Sequence, residues 1–169
     1  MPAPRVLALI KLAVSAGVDV WLDGGWGVDA LLGAQHREHE DLDLVVPLRQ
    51  VQHLITVLIP EGFAVAEDYL PTRLVLRTNA GDQIDVHQVT FDSIGDGWQA
   101  GAAPDGGDCR YPAAGFVTGQ IADQSVPCLG PAVQIDHHSG YVPRPHDLED
   151  MLRLTARFDL QLPPNDNRC

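Results

Sequence analysis

The stretch Asp41–Val46, with the sequence DLDLVV, places two carboxylates two positions apart in an otherwise apolar run. Successive side chains of a β-strand point to opposite faces, so a strand here would project Asp41 and Asp43 from the same face. Carboxylates are rarely buried in such a run unless a metal ion or a partner neutralises them. The stretch therefore predicts a strand that carries a charged site on one face.

A third carboxylate, Asp85, lies in the strand-like run Gln83–Val89 (QIDVHQV). Three carboxylates that converge from neighbouring strands repel each other unless a cation neutralises them. Mg²⁺ prefers hard oxygen ligands and is usually held by one or two carboxylates together with substrate phosphates. We therefore expect Asp41, Asp43 and Asp85 to bind Mg²⁺ and to carry the catalysis of phosphate-group transfer. Asp85 is a metal ligand, a general base for the attacking hydroxyl, or both.

The pair Gly24-Gly25 stands where an apolar run ends and a helical pattern begins. Glycines at such a turn let the backbone approach a phosphate closely, and the helix N-terminus adds partial positive charge. A plain tight turn would explain the pair taken alone. Its position ahead of the two spaced aspartates favours contact with nucleotide phosphates.

The charged segment Arg37–Glu40 leads directly into the carboxylate strand. Arg37 and His39 are placed to meet triphosphate oxygens, since a guanidinium presents a planar fork of donors. An exposed charged loop is the plain alternative. A transition-metal site built from His36, His39 and nearby acids is a third possibility.

The other histidines allow two interpretations. His87 either assists Asp85 or has a structural role. His137, His138 and Tyr141 lie near a predicted helix end, where structural hydrogen bonds are favoured over contact with a substrate.

Composition narrows the classes of function. The chain has 169 residues, a hydrophobic share of 45% and a formal net charge of −12. This charge argues against nucleic acid and against an anionic membrane as partners, and it suits a cationic substrate. Three cysteines without close spacing, Cys109, Cys128 and Cys169, fit a reduced, cytoplasmic chain. The apolar N-terminal region has a helical period with one dominant face, which favours a folded helix over a leader peptide.

Early helices and strands alternate, whereas later strands follow one another. This order predicts an α/β (α+β) fold with a mixed β-sheet flanked by helices and a small C-terminal helical segment. We expect a catalytic domain over residues 1–115, a helical segment packed on it over 116–162, and a disordered tail over 163–169. The expected elements are helices over Pro4–Ala16, Trp26–Leu32, Arg49–Ile59, Pro131–His138 and His146–Phe158, and strands over Val20–Asp23, Asp41–Val46, Phe63–Glu67, Arg73–Thr78, Gln83–Thr90, near Trp98 and over Val126–Leu129.

The string WLDGGWGVD at Trp21–Asp29, followed by REHEDLD at Arg37–Asp43, resembles the antibiotic nucleotidyltransferases. The chain is most similar to the short lincosamide nucleotidyltransferases and next to the aminoglycoside 2''-nucleotidyltransferases. Asp85 with His87, and the later string HSGY at His138–Tyr141, extend the similarity over most of residues 15–155.

This resemblance implies a nucleotidyltransferase fold and the transfer of AMP from ATP to an antibiotic hydroxyl, with Mg²⁺ required and pyrophosphate released. It implies that Asp41 and Asp43 bind Mg²⁺ and that Asp85 is the third carboxylate and the general base. The nucleotide phosphates would be contacted by four residues, Gly24, Gly25, Arg37 and His39. The expected acceptor is a lincosamide, with an aminoglycoside as the alternative.

Two other classes of function remain open. A toxin of the same fold would modify protein or tRNA, and an inactive relative would bind a ligand without turnover. The segments 101–119 and 143–145 differ from the expected family pattern and are expected to border the acceptor pocket. Short enzymes of this type can pair to complete their acceptor sites, so a homodimer is also expected.

Overall fold

The strand predicted at Asp41–Val46 extends from Asp41 to Pro47 and lies in the centre of a mixed sheet in a computed structural model of the chain. The structure describes residues 1–103, 105–138 and 143–162, with the side chain of His138 left aside. The tail predicted for 163–169 and the residues Ser139, Gly140 and Tyr141 lie outside the described residues.

Five α-helices and nine strands make up the described part of the chain. The helices are α1 (Ala3–Ser15), α2 (Gly24–Leu32), α3 (Val51–Leu58), α4 (Pro131–His138) and α5 (Pro145–Phe158). The strands are β1 (Trp21–Asp23), β2 (Asp41–Pro47), β3 (Ala64–Tyr69), β4 (Arg73–Arg77), β5 (Gln83–Phe91), β6 (Gly97–Gln99), β7 (Cys109–Tyr111), β8 (Phe116–Ile121) and β9 (Gln124–Leu129). In the described ranges, no helix is long and apolar enough to cross a bilayer.

The sheet has the order β3-β4-β5-β2-β1-β9-β8, and β6 and β7 extend from β5 outside this path. Strand β2 is parallel to β5 and antiparallel to β1, while β1 is parallel to β9. The remaining pairs are antiparallel. The predicted mixed sheet with flanking helices is therefore confirmed.

The two faces of β2 have different neighbours. Leu42, Leu44 and Val46 are fully buried in the main hydrophobic cluster, which α1 and α3 also supply. Asp41 and Asp43 point to the opposite face and are half-buried. The alternation of apolar and acidic residues thus fixes which face of the sheet is core and which face carries charge.

Helix α2 begins earlier than the predicted Trp26. The carboxylate of Asp23 accepts a hydrogen bond from the Gly24 amide at 2.8 Å, so Asp23 acts as the N-cap and the helix starts at Gly24. It ends at Gly33, whose left-handed φ of +72° is a common helix C-cap conformation. Both glycines of the predicted phosphate turn therefore lie in the first turn of the helix.

The region 116–162 is not helical throughout. Its first residues form β8 and β9, and β9 pairs with β1 through Leu22 and Cys128 in the central sheet. The prediction included β9 in part and omitted β8 and β7. The division of the chain at residue 115 stays a prediction, although strands from both sides of it share one sheet.

Candidate active site

All the residues predicted to bind metal or nucleotide line one cavity of about 850 Å³. This volume is within the range of small-molecule sites. The residues concerned are Gly24, Gly25, Arg37, His39, Asp41, Asp43 and Asp85. They come from α2, from the segment before β2, and from β2 and β5, which the sheet brings side by side.

Four carboxylates form a row across adjacent strands at the floor of this cavity. Asp43 of β2 is the register partner of Asp85 in β5 and of Asp23 in β1. Asp41 lies two residues before Asp43 on the same face of β2. The row contains one carboxylate, Asp23, that the sequence analysis did not assign to the site.

The pKa values of Asp41 and Asp23 are shifted by burial and by the charged side chains around them in the row. Burial, together with the negative charges of Asp43 and Asp85, raises the pKa of Asp41. Burial also opposes ionisation of Asp23, but the ion-pair interaction with His137 and the charge of His87 outweigh it and lower the pKa of Asp23 well below its usual range. The sheet therefore holds like charges close together, as a cation-binding site requires.

His87 lies among these carboxylates. Its Nε2 is 3.5 Å from Asp43 Oδ1. Burial lowers the pKa of this imidazole, but the interaction with Asp43 and the charges of Asp23 and Asp85 overcome it, so the pKa is raised overall. Of the two interpretations of His87, this position favours a direct electrostatic role at the site.

Asp85 is held by two neighbours. Arg73 of β4 donates a hydrogen bond from Nη2 to Oδ2 of Asp85 at 2.5 Å, and Gln83 donates to Oδ1 at 2.8 Å. Arg73 was not expected at the site, because its pairing depends on the antiparallel register of β4 and β5, in which Val75 faces Asp85.

The donor chemistry of the row fits a hard divalent cation. Asp41 and Asp43 offer carboxylate oxygens from one face of β2, and burial followed by the negative charges of Asp43 and Asp85 raises the pKa of Asp41. Within the residues that the structure describes, no group of three or more His, Cys, Asp or Glu side chains is arranged to hold a metal ion. The assignment of Asp41, Asp43 and Asp85 as metal ligands therefore stays a prediction.

The glycine pair approaches the acidic strand closely. Gly24 has a φ of +55°, and a Cβ built on it would lie 2.2 Å from Asp43 Oδ2. A Cβ on Gly25 would lie 2.2 Å from His39 Nδ1 and 2.7 Å from Arg37 Nη2. The two predicted motifs are thus in contact, and only residues without a side chain fit between them.

Arg37 and His39 line the cavity, but each is also bonded to a carboxylate. Arg37 donates to Asp150 of α5 from Nη2 at 2.9 Å, and His39 Nε2 lies 2.5 Å from Asp29 Oδ2. Asp29 also interacts with His36, through Nδ1 at 3.1 Å. Both histidines of the proposed transition-metal site are thus engaged by one carboxylate, and that alternative stays a prediction, as the Mg²⁺ site does.

The far wall of the cavity comes from β6, β7 and α4. Gln99, Cys109, Tyr111 and His137 all line it. His137 Nδ1 is 3.7 Å from Asp23 Oδ2, and its ring packs edge-on against Tyr111 with centroids 4.4 Å apart. His137 therefore has structural partners and also lines the cavity, so its role stays a prediction.

Comparison with known proteins identifies the class of enzyme. The model of the aminoglycoside-2''-adenylyltransferase family matches residues 5–154, so the chain belongs to this family. The resemblance based on WLDGGWGVD and REHEDLD is confirmed, and the chain is a nucleotidyltransferase of the antibiotic-resistance group.

Individual relatives differ in how much of the chain they match. A lincosamide resistance protein of Staphylococcus haemolyticus is 34% identical over 124 residues, which cover 73% of this chain and 76% of that protein. A 2''-aminoglycoside nucleotidyltransferase of Escherichia coli is 31% identical over 71 residues, which cover 40% of each chain.

Among solved structures, a lincosamide enzyme likewise superposes on this chain with a higher TM-score than an aminoglycoside enzyme does. The lincomycin-bound lincosamide antibiotic adenylyltransferase LnuA superposes with a TM-score of 0.81 at 29% identity, covering 92% of this chain and 98% of that one. ANT(2'')-Ia in complex with adenylyl-2''-tobramycin has a TM-score of 0.72 at 20% identity, covering 92% and 88% respectively, and shows the shared fold alone.

Proposed function

We propose that this enzyme transfers AMP from ATP to a hydroxyl group of a lincosamide and releases pyrophosphate, with Mg²⁺ as its metal. The observation that carries the proposal is the single cavity that contains the glycine pair, Arg37 and His39 of the charged segment, and the carboxylates Asp41, Asp43 and Asp85. A cavity with these groups can bind a triphosphate at one side and an acceptor hydroxyl at the other.

Each residue that lines the cavity would have a role that follows from its position. Gly24 and Gly25 present the first turn of α2 to the phosphates, and Arg37 and His39 add cationic or polar contacts beside them. Asp85 is the proposed proton acceptor for the attacking hydroxyl, held in place by Arg73.

Asp41, Asp43 and Asp85 would hold Mg²⁺, which when bound offsets the negative charge of the phosphates and of the leaving pyrophosphate. The row of carboxylates supports this assignment through its donor type and through the raised pKa of Asp41. The reaction is then an in-line displacement at the α-phosphorus of ATP, in which the bond to the acceptor oxygen forms as the bond to pyrophosphate breaks.

A lincosamide is preferred over an aminoglycoside because similarity to the lincosamide resistance protein extends over 76% of that relative, against 40% for the aminoglycoside enzyme. The formal net charge of −12 suits either drug class, since both are cationic. We further propose action in the cytoplasm, which fits the reduced thiol of Cys128. Pairing of two chains also remains a proposal, which sedimentation velocity would test.

The test is pyrophosphate release from ATP and Mg²⁺ with lincomycin, clindamycin, kanamycin, gentamicin or buffer alone, together with the mass of the product. Release with a lincosamide and a product heavier by one AMP would support the proposal. Release with an aminoglycoside alone would move the activity to the second drug class. Silence with every drug, while ATP still binds, would refute both and leave protein, tRNA or an unrelated small molecule as acceptor.

Variants of the carboxylate row separate the proposed roles. Asp43→Asn should abolish turnover without unfolding the chain, whereas Asp85→Asn should lower turnover more than ATP affinity. Asp19→Asn is the matched control, because Asp19 is exposed and interacts with Gln50 away from the cavity. Wild-type rates in Asp43→Asn would refute the metal assignment, and an unchanged rate in Asp85→Asn would refute its role as base.

A further inference from the structure

Two buried carboxylates outside the carboxylate row contact the charged segment Arg37–Glu40, which lines the cavity. The side chains of Asp29 in α2 and Asp150 in α5 are 3% and 2% exposed. Burying an ionisable group is costly unless it is paired. Each of them pairs with one of the two residues expected at the nucleotide phosphates, His39 and Arg37.

Asp29 fixes the ring of His39. A carboxylate accepts hydrogen bonds, so Nε2 of His39 is the donor in its 2.5 Å contact with Asp29 Oδ2. The ring also packs against Trp26, with centroids 4.8 Å apart. Its other nitrogen, Nδ1, is buried and has no hydrogen-bond partner among the described residues. That nitrogen faces Gly25 at the start of α2.

Asp150 fixes the guanidinium of Arg37 in a similar way. Both Nε and Nη2 of Arg37 donate to Asp150 Oδ2, at 3.1 and 2.9 Å. Arg153 also reaches Asp150, at 3.4 Å to Oδ1, so this carboxylate would keep a cationic neighbour without Arg37. The additional pairing with Arg37, 113 positions away in sequence, joins the C-terminal helix to the wall of the cavity.

The two held groups converge on one point. A Cβ on Gly25 would lie within 2.7 Å of both the His39 ring and the Arg37 guanidinium. The His39 ring, the Arg37 guanidinium and the first-turn amides of α2 are therefore packed against one another at Gly25. With both ring nitrogens protonated, His39 offers a second N–H, and this donor set matches the oxygens of a phosphate chain.

We infer that Asp29 and Asp150 are positioning residues that hold His39 and Arg37 over Gly25 as a clamp for the polyphosphate of the nucleotide. The inference rests on the proposed function, because it assigns the clamp to the phosphates of ATP. Asp29 and Asp150 do not contact the nucleotide. They act by limiting the orientations of the two groups that do, which reduces the entropy lost on binding.

The experiment is calorimetric titration of the full chain with ATP and with inorganic tripolyphosphate, without an acceptor. Asp29→Asn and Asp150→Asn should each weaken binding of both probes by roughly 10- to 100-fold, the loss expected for a charge-assisted hydrogen bond. Glu149→Gln is the matched control, since Glu149 precedes Asp150 in α5 but its side chain is 64% exposed. This control should bind both probes as the wild type does.

A double-mutant cycle distinguishes positioning from a general structural role. If Asp29 acts through His39, then His39→Gln and the pair with Asp29→Asn should bind tripolyphosphate equally weakly. Additive losses would overturn the inference. Labelling the histidines with ¹⁵N gives a readout that needs no altered Asp29, because tripolyphosphate should shift the ring signals of His39 in the wild type. Unshifted His39 signals at saturation would also overturn it.

The outcomes keep the two proposals separate. Unchanged affinity in both aspartate variants would refute the clamp, while the drug panel would still decide the proposed function. Weakened phosphate binding in the variants, with no drug adenylylated by the wild type, would support the clamp and refute the choice of acceptor.

Discussion

Replacing Gly24 with alanine perturbs the contact between the glycine pair and the carboxylate row at its tightest point. Its φ of +55° is unfavourable for a residue with a side chain and costs about 1 kcal/mol. The new Cβ would also lie 2.2 Å from Asp43 Oδ2, about 1.2 Å short of ordinary contact. Overpacking of this kind costs about 1–3 kcal/mol, so we expect a total loss of about 2–4 kcal/mol in the free energy of unfolding.

The larger effect should be on turnover. Asp43 must move by about 1 Å to accommodate the methyl group, and a displacement of that size at a reacting centre can reduce the rate by about 100-fold. The measurements are urea denaturation for stability and pyrophosphate release with the best acceptor for rate. A Gly24→Ala enzyme with the wild-type rate would refute the reasoning that Asp43 must keep its position beside the glycine.

Gly33→Ala is the matched control at the other end of the same helix. Gly33 also has a positive φ, of +72°, but a Cβ there would meet nothing within 4 Å. This variant should lose about 1 kcal/mol of stability and keep its turnover, because it carries the backbone cost without the overlap. Equal loss of turnover in the two variants would attribute the effect to the helix as a whole.

Three further predictions concern the charges of the row. Asp41→Asn should raise the melting temperature of the metal-free protein at pH 7. Burial and the charges of Asp43 and Asp85 raise the pKa of Asp41, so its ionised form destabilises the fold. The gain in melting temperature should vanish below about pH 4, where Asp41 is protonated in the unfolded chain too. His87→Gln should cost most stability below about pH 6.5, and this deficit should shrink as the pH rises through the raised pKa of folded His87, in melts recorded from pH 5 to 9. Arg73→Gln should lower the free energy of unfolding at pH 7 by about 1–2 kcal/mol, measured by urea denaturation, since buried Asp85 loses its charged partner.

Each of these predictions has a contradicting result. An Asp41→Asn protein that melts below the wild type at pH 7 would show that the carboxylate is stabilising. A deficit in His87→Gln that does not change with pH would remove its charge from the explanation. Arg5→Gln controls for Arg73, because Arg5 pairs with Glu61 and Asp82 away from the row, and equal losses in the two variants would contradict a specific role for Arg73.

The parts of the fold that local pattern determines could be predicted from the sequence. The alternation of Asp41, Leu42, Asp43 and Leu44 was sufficient to place both carboxylates on one face of β2. Helix α4 has the predicted bounds Pro131–His138, since proline suits the first helical position. These features depend on residues that are near each other in the chain.

Strand β8 was missed because its sequence is explained only by a contact with a distant helix. Gly119 interrupts the run Phe116–Ile121, and glycine disfavours a strand in the sequence. In the structure a Cβ at this position would lie 2.5 Å from the carbonyl oxygen of Ala30, so the close packing of α2 on the strand requires glycine. Nothing near Gly119 in the sequence indicates this neighbour.

In the site, too, some features depend on residues that are near each other in the chain and others on residues that are far apart. The types of residue in the two motifs predicted the groups that line the cavity. Their partners could not be predicted, because Arg73 reaches Asp85 through strand register and Asp150 reaches Arg37 across 113 positions. The pairing of Asp23 with His137 likewise depends on how α4 packs on the sheet.

Among the described strands, the hairpin of β6 and β7 joins the sheet by strand pairing of β6 with β5, over two residue pairs, whereas the carboxylate row depends on seven consecutive register pairs between β2 and β5. A deletion within those paired strands would turn the acids away from the cavity. A change of length between Gln99 and Cys109 would alter the far wall and leave the register intact. The architecture therefore separates a cavity wall that tolerates insertions and deletions from a paired core that tolerates neither.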